Sequence, residues 1–163
     1  MGNPKHYKVF IVESEKMYSF MLGFKLQYSP DFEITSYVSG GQCIEHLYQK
    51  PDIIILDYKV IGKNLQEVLA LVKERSRSSS VILLSDLEEL SMLQELQNEN
   101  DCDFLIKEKD STKQADLLIQ LIKNNIERRE VKNREVKRKL ITVYVMVALI
   151  LAALGVFYLE YTA

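Results

Sequence analysis

The chain has 163 residues, of which 47% are hydrophobic and 27% charged, and its formal net charge at pH 7 is −2. This length and apolar content suffice for one folded domain and exclude a largely disordered chain. Two cysteines and two histidines are too few and too scattered for a disulfide framework, a zinc site or a histidine-based metal site. A net charge near zero also argues against a globally basic nucleic-acid binder.

Short apolar runs recur along the first three quarters of the chain. Three of them are unbroken by polar residues, which is typical of parallel strands buried on both faces: Val9–Val12, Ile53–Leu56 and Val81–Leu84. Phe32–Val38 and Phe104–Ile106 are weaker strand candidates. The sequence therefore predicts five strands.

Five segments with apolar residues at helical spacing alternate with these strands. They cover Met17–Leu26, Ile44–Leu47, Leu65–Val72, Leu87–Leu96 and Leu117–Ile126. In the first, the apolar face consists of Met17, Phe20, Met21, Phe24 and Leu26. This alternation predicts a doubly wound α/β domain with a five-stranded parallel sheet, for which we expect the strand order 2-1-3-4-5.

Polar side chains follow four of the predicted strands. They are Glu13 after the first strand, Asp57 after the third, Ser85 after the fourth and Lys107 after the fifth. Each alone is more typical of a solvated loop or a helix cap. Because the carboxyl ends of parallel strands share one edge of the sheet, their joint placement favours a functional site there.

The chemistry of this set is that of phosphoryl transfer. An Asp carboxylate can accept a phosphoryl group as an acyl phosphate. Carboxylates bind Mg²⁺, a lysine ammonium pairs with a phosphate oxygen, and a hydroxyl can hydrogen-bond another. Glu13, Asp57, Ser85 and Lys107 supply these roles.

Over roughly residues 7–125 the chain resembles the receiver domain of bacterial two-component response regulators, a flavodoxin-like fold. The segments that carry the resemblance are KVFIVESE, YVSGGQCIEHL, PDIIILD, SVILLS and DFLIK, in the family's order. The resemblance implies that Asp57 is the phosphoacceptor, Ser85 the switch hydroxyl, Lys107 the phosphate-pairing lysine and Phe104 the switch aromatic. It also implies a Mg²⁺ ion held by Glu13 and Asp57, with Glu15 near enough in sequence to assist, and no enzyme activity beyond autophosphorylation and dephosphorylation.

The chain departs from the family pattern at four positions around this site. Ser14 stands where the family has a second acid, which predicts weaker Mg²⁺ binding. Ile61 and Glu108 stand where the family often has proline, and Asp86 stands where it has a small residue. An acid at position 86 would repel a phosphoryl group.

Two interpretations follow from these residues. One is a phosphorylation switch that receives its phosphoryl group from a sensor histidine kinase or a phosphotransfer protein and acts through another protein. The other is a degenerate pseudo-receiver, a phosphorylation-independent interaction module, which Ser14 and Asp86 favour. A flavin or nucleotide binder on the same fold is disfavoured, since the acids in the loop after the first strand would repel phosphate.

The C-terminal part has a different composition. Residues 126–139 contain seven basic and three acidic residues, and Leu140–Leu159 is a run of 20 uncharged residues. A run of this length predicts a transmembrane helix rather than a core helix. We therefore expect a receiver domain (1–125), a basic juxtamembrane helix or linker (126–139) and a transmembrane helix (140–160), so that the domain is tethered to the membrane in both interpretations.

The same composition predicts location and partners. Basic residues stay on the cytoplasmic side, so we expect a single-pass protein of the bacterial inner (cytoplasmic) membrane with the receiver domain in the cytoplasm. The expected partners are membrane lipids and an unidentified effector protein near the membrane, and not nucleic acid. The sequence leaves homodimerisation open.

Overall fold

The computed structural model describes residues 6–29, 31–59, 64–89 and 102–162, with the backbone alone at Glu89, Ser111 and residues 155–162. The strands are β1 (Tyr7–Val12), β2 (Phe32–Tyr37), β3 (Ile53–Asp57), β4 (Ser80–Ser85) and β5 (Asp103–Ile106). The helices are α1 (Lys16–Leu26), α2 (Gly40–Glu45), α3 (Leu65–Arg75) and the C-terminal helix (Ser111–Thr162), with 3₁₀ turns at Leu47–Gln49 and Leu87–Glu89.

The five strands form one parallel sheet in the order β2-β1-β3-β4-β5, as the sequence predicted. Ile53 of β3 lies opposite Val9 of β1 and opposite Ser80 of β4, so the three central strands are in close register. The strand order reverses between β1 and β3, and in folds of this kind the carboxyl edge at the reversal is where functional groups gather.

The central strands are buried on both faces. All five residues of β3 and the last five of β4 are buried. On one face of the sheet, Phe10, Ile54 and Leu83 belong to the main core cluster, which also contains Val68, Leu69 and Val72 of α3. Burial on both faces explains why the strands read as unbroken apolar runs rather than as alternating ones.

The buried face of helix α1 shares only Leu26 with the apolar face that its sequence predicted. Its buried residues are Ser19, Leu22 and Leu26, spaced three and four residues apart. Phe20 is 69% exposed, and Met17, Met21 and Phe24 are exposed too. Apolar residues occur nearly all around this helix, so composition did not indicate which stripe would pack inward.

Helices α2 and α3 begin at side-chain caps. The Ser39 hydroxyl accepts a hydrogen bond from the backbone N–H of Gln42, and the Asn64 side chain accepts one from that of Gln66. These contacts satisfy N–H groups that have no partner within the helix. Of the predicted fourth helix, Leu87 lies in a 3₁₀ turn, and residues 90–101 lie outside the described residues.

The contacts within the chain divide it into two units, Met1–Ile122 and Lys123–Ala163. The second unit is helical and has local contacts such as Arg128 to Asn125 and Thr142 to the carbonyl of Arg138. Its side chains from Val131 to Leu154 are exposed.

Among the residues that the structure describes, no helix has the length and apolar character needed to cross a membrane. This finding overturns the predicted transmembrane helix at 140–160 and the predicted inner-membrane location.

The core makes a first prediction. Replacing fully buried Leu56 by alanine should lower the free energy of unfolding by about 3 kcal/mol, because it removes apolar contacts and leaves a cavity in β3. Leu87→Ala is the matched control, since this side chain is 69% exposed and should change stability by less than about 0.5 kcal/mol. Urea unfolding of both variants measures the difference, and equal losses would contradict the assigned core.

Candidate functional site

The four polar residues predicted at strand ends lie where the sequence places them. Glu13 follows β1, Asp57 ends β3, Ser85 ends β4 and Lys107 follows β5. Backbone hydrogen bonds hold these ends in place: Lys107 donates its N–H to the carbonyl of Ser85 at 2.8 Å, and Glu13 donates to that of Tyr37 at 3.0 Å. The backbone hydrogen bonding of the parallel sheet thus extends to Glu13 and Lys107 of the candidate site.

Lys107 joins two of these strand ends through its side chain. Its Nζ lies 2.9 Å from Oε2 of Glu13 and 3.0 Å from Oδ1 of Asp57. Both carboxylates are almost completely buried, with Glu13 2% and Asp57 3% exposed. We call Glu13, Asp57 and Lys107 the ion cluster. Its formal charge is −1, so one ammonium serves two buried anions.

Burial and pairing shift the pKa values in this cluster. Burial alone would lower the pKa of Lys107, but the hydrogen bonds to Glu13 and Asp57 outweigh it and raise that pKa above its usual value. The pKa of Asp57 is raised, first by burial and also by the charge of Glu13, while the hydrogen bond from Lys107 partly offsets the rise. Lys107 therefore remains a cation, and Asp57 is a more basic carboxylate than one in solution.

The predicted switch residues lie on the two strands next to β3 at this end of the order: Ser85 ends β4, and Phe104 is the second residue of β5. Ser85 is buried, and its hydroxyl donates a 3.3 Å hydrogen bond to the carbonyl of Asp86. The carboxylate of Asp86 is exposed and pairs with Nζ of Lys59 at 3.0 Å, which compensates part of its charge. Phe104 is half-buried and packs against the main core cluster.

The donor set offers Mg²⁺ two carboxylates. Glu13 and Asp57 are both in the ion cluster, and Mg²⁺ is often held by one or two carboxylates with water and phosphate completing its shell. Glu15 is exposed, and its backbone N–H donates to Oε1 of Glu13 at 2.9 Å. The described part of the chain has no group of three acidic, cysteine or histidine side chains arranged for a metal. Two carboxylates, with water and phosphate as the remaining ligands, are a donor set that fits Mg²⁺.

Tyr18 is a site residue that the sequence reasoning missed. Nζ of Lys107 lies 5.0 Å from the centroid of its ring. Burial raises the pKa of Tyr18 to about 12, with Lys107 lowering it and the carboxylates of Glu13, Asp57 and Asp86 raising it further. The signal was available, because an aromatic residue in the first turn of a helix that follows β1 starts beside the strand ends.

Solved structures share this fold. The response regulator domain of CheB from Thermotoga maritima is 23% identical with a TM-score of 0.66, over 76% of this chain and 98% of that one. A response regulator receiver domain protein from Clostridium thermocellum is 20% identical with a TM-score of 0.67, over 77% and 98%. An adenylate cyclase structure from Rhodopirellula baltica is 19% identical with a TM-score of 0.70, over 81% and 96%.

These identities establish the fold alone. The chain has the flavodoxin-like receiver fold of two-component response regulators, with the strand order that the sequence predicted. Neither a protein-family model nor a curated protein matches the chain.

The raised pKa of Asp57 makes a second prediction. Asp57→Asn should raise the melting temperature by a few degrees near neutral pH, because it removes a buried charge. The native pKa lies above the ordinary 3.8, so the native state takes up this proton at higher pH than the unfolded chain. The gain in melting temperature should be full above the native pKa of Asp57. It should vanish as the pH falls toward 3.8, the ordinary pKa of the carboxyl.

Thermal unfolding of wild type and Asp57→Asn between neutral pH and pH 3.8 measures the difference in melting temperature. Asp31→Asn, which neutralises an exposed carboxylate, is the matched control and should show little difference at any pH. A variant that is less stable than wild type at neutral pH would contradict the assigned direction of the pKa shift.

Proposed function

We propose that this chain accepts a phosphoryl group on Asp57 in two-component signalling. The observation that carries the proposal is the ion cluster at the carboxyl edge of the sheet, where Asp57 is buried within 3.0 Å of the Lys107 ammonium. A fixed ammonium beside a nucleophilic carboxylate favours approach of an anionic phosphoryl donor. The proposed donor is a phosphohistidine on a sensor histidine kinase or a phosphotransfer protein.

In the proposed transfer, a carboxylate oxygen of Asp57 attacks phosphorus as the bond from phosphorus to the histidine nitrogen breaks. The nitrogen keeps the bonding electron pair, and Asp57 becomes an acyl phosphate. Later attack of water on phosphorus returns the Asp57 carboxylate and releases inorganic phosphate. We propose no enzyme activity beyond these two reactions.

The neighbouring residues have defined tasks in this proposal. Lys107 exchanges its contact with the Asp57 carboxylate for one with a phosphoryl oxygen, as a point charge. Ser85 leaves its 3.3 Å hydrogen bond to the carbonyl of Asp86 and donates to another phosphoryl oxygen. Phe104 changes its packing in response, so that the altered surface near β5 changes its affinity for an effector protein.

Mg²⁺ would be held by Glu13 and Asp57, and when bound it supplies positive charge that offsets that of the phosphoryl group. Ser14 contributes a neutral hydroxyl where a carboxylate would bind more strongly, so we expect weak affinity. The role predicted for Glu15 stays a prediction.

The second candidate is a pseudo-receiver that binds a protein partner without taking phosphate. Two observations favour it. The ammonium of Lys107 already pairs with both buried carboxylates, and Ser14 stands where an acidic side chain would bind the metal. In this alternative the ion cluster only stabilises the fold. The two candidates differ in whether Asp57 can be modified.

A third prediction separates them. Incubating the full chain with acetyl phosphate and millimolar Mg²⁺ should add the mass of one phosphoryl group, detected by intact-protein mass spectrometry. The adduct should be absent in Asp57→Asn and present in Asp31→Asn, which changes an exposed aspartate of the same chain.

Two further measurements sharpen this test. Removing Mg²⁺ with a chelator should slow labelling, because the charge that it supplies is lost. Beryllofluoride, a mimic of the phosphoryl group, should bind wild type but not Asp57→Asn. A wild-type chain that shows neither adduct nor beryllofluoride binding would favour the pseudo-receiver.

A further inference from the structure

A buried phenol hydroxyl beside the ion cluster has no hydrogen-bond partner among the described residues. It belongs to Tyr18, in the first turn of α1. A phenol can donate one hydrogen bond, and buried polar groups are nearly always paired, since leaving one unpaired costs free energy. Because the Tyr18 ring lies beside the Lys107 ammonium, its unpaired hydroxyl is a candidate donor to a ligand bound at the ion cluster.

The surroundings of Tyr18 identify that site. The Lys107 ammonium, which contacts Glu13 at 2.9 Å and Asp57 at 3.0 Å, lies 5.0 Å from the Tyr18 ring centroid. This geometry allows a cation–π contact, which fixes the ring relative to the ammonium. With its pKa raised to about 12, the phenol keeps its proton at physiological pH and is available as a donor.

The phosphoryl group proposed for Asp57 would bring three acceptor oxygens into this region. Lys107 and Ser85 account for two of them in the proposed function. In this chain Ser14 replaces an acidic metal ligand, so a bound cation provides less support for the remaining oxygen. A phenol can donate to this oxygen without adding negative charge to a cluster whose formal charge is already −1.

We propose that the Tyr18 hydroxyl donates a hydrogen bond to the phosphoryl group on Asp57. Tyr18 is then a phosphoryl-binding residue that compensates in part for the weakened metal site. The inference rests on the proposed phosphoacceptor function and adds to it a residue that the sequence reasoning did not include. It also implies that binding of a phosphoryl mimic depends on α1 as well as on the strand ends.

The test compares beryllofluoride binding by the full chain and by Tyr18→Phe at a fixed Mg²⁺ concentration, followed by fluorine NMR. This substitution keeps the ring and its contact with Lys107 and removes only the hydroxyl. We expect about tenfold weaker binding, in line with loss of one hydrogen bond to a charged acceptor. Tyr28→Phe is the matched control, because Tyr28 is 72% exposed just after the same helix, and it should bind as wild type does.

A stability measurement separates binding from folding. Tyr18→Phe removes an unpaired buried hydroxyl, so its melting temperature without ligand should equal or exceed that of wild type. As a second readout, the acyl phosphate formed from acetyl phosphate should have a several-fold shorter lifetime in Tyr18→Phe. A variant with lower melting temperature and unchanged lifetime would assign Tyr18 a structural role only.

The possible failures are distinguishable. If wild type binds beryllofluoride and Tyr18→Phe binds it equally well, the inference is overturned and the proposed function stands. If wild type neither binds beryllofluoride nor forms the Asp57 adduct, the proposed function and the inference are both overturned.

Discussion

One ammonium between two buried carboxylates organises the carboxyl edge of this protein. Lys107 follows the edge strand β5, yet it pairs with Asp57 of β3 and with Glu13 after β1. Neither carboxylate has appreciable contact with solvent, so the ammonium that contacts both offsets charge that water does not. The side chain of a single lysine therefore links three strand ends.

The sheet and the site share the same contacts. The backbone bond from Lys107 to Ser85 extends the ladder between β4 and β5, and it also fixes the start of the lysine side chain. Central strands buried on both faces hold this edge in place, and in the proposed function the hydroxyl of Ser85 exchanges its hydrogen bond to the carbonyl of Asp86 for one to a phosphoryl oxygen. A rigid frame with a few exchangeable side-chain contacts is the arrangement that a small switch requires.

The sequence predicted the sheet well because its strands are buried on both faces, and unbroken runs such as Ile53–Leu56 have few other structural interpretations. The prediction that polar residues after the strands share one edge of the sheet followed from the parallel topology. The predicted apolar face of α1 was wrong except at Leu26, since apolar residues surround that helix and only packing selects Leu22 over Phe20. Tyr18 was missed although its place in the first turn after β1 was a signal, because the 5.0 Å approach of Lys107 to its ring is known only from the packed structure.

The shared role of Lys107 has an evolutionary consequence. A substitution of Lys107 would leave Glu13 and Asp57 as buried anions without the ammonium that pairs with both, and losing one partner of a buried ion pair costs about 3–5 kcal/mol in proteins. Selection for folding alone would therefore retain Lys107 and Glu13, and the two positions should vary together among descendants of this chain. Asp57 is different, because a neutral residue there relieves charge at that edge. In lineages that abandon phosphoacceptance, Asp57 should be the first of the three residues to drift.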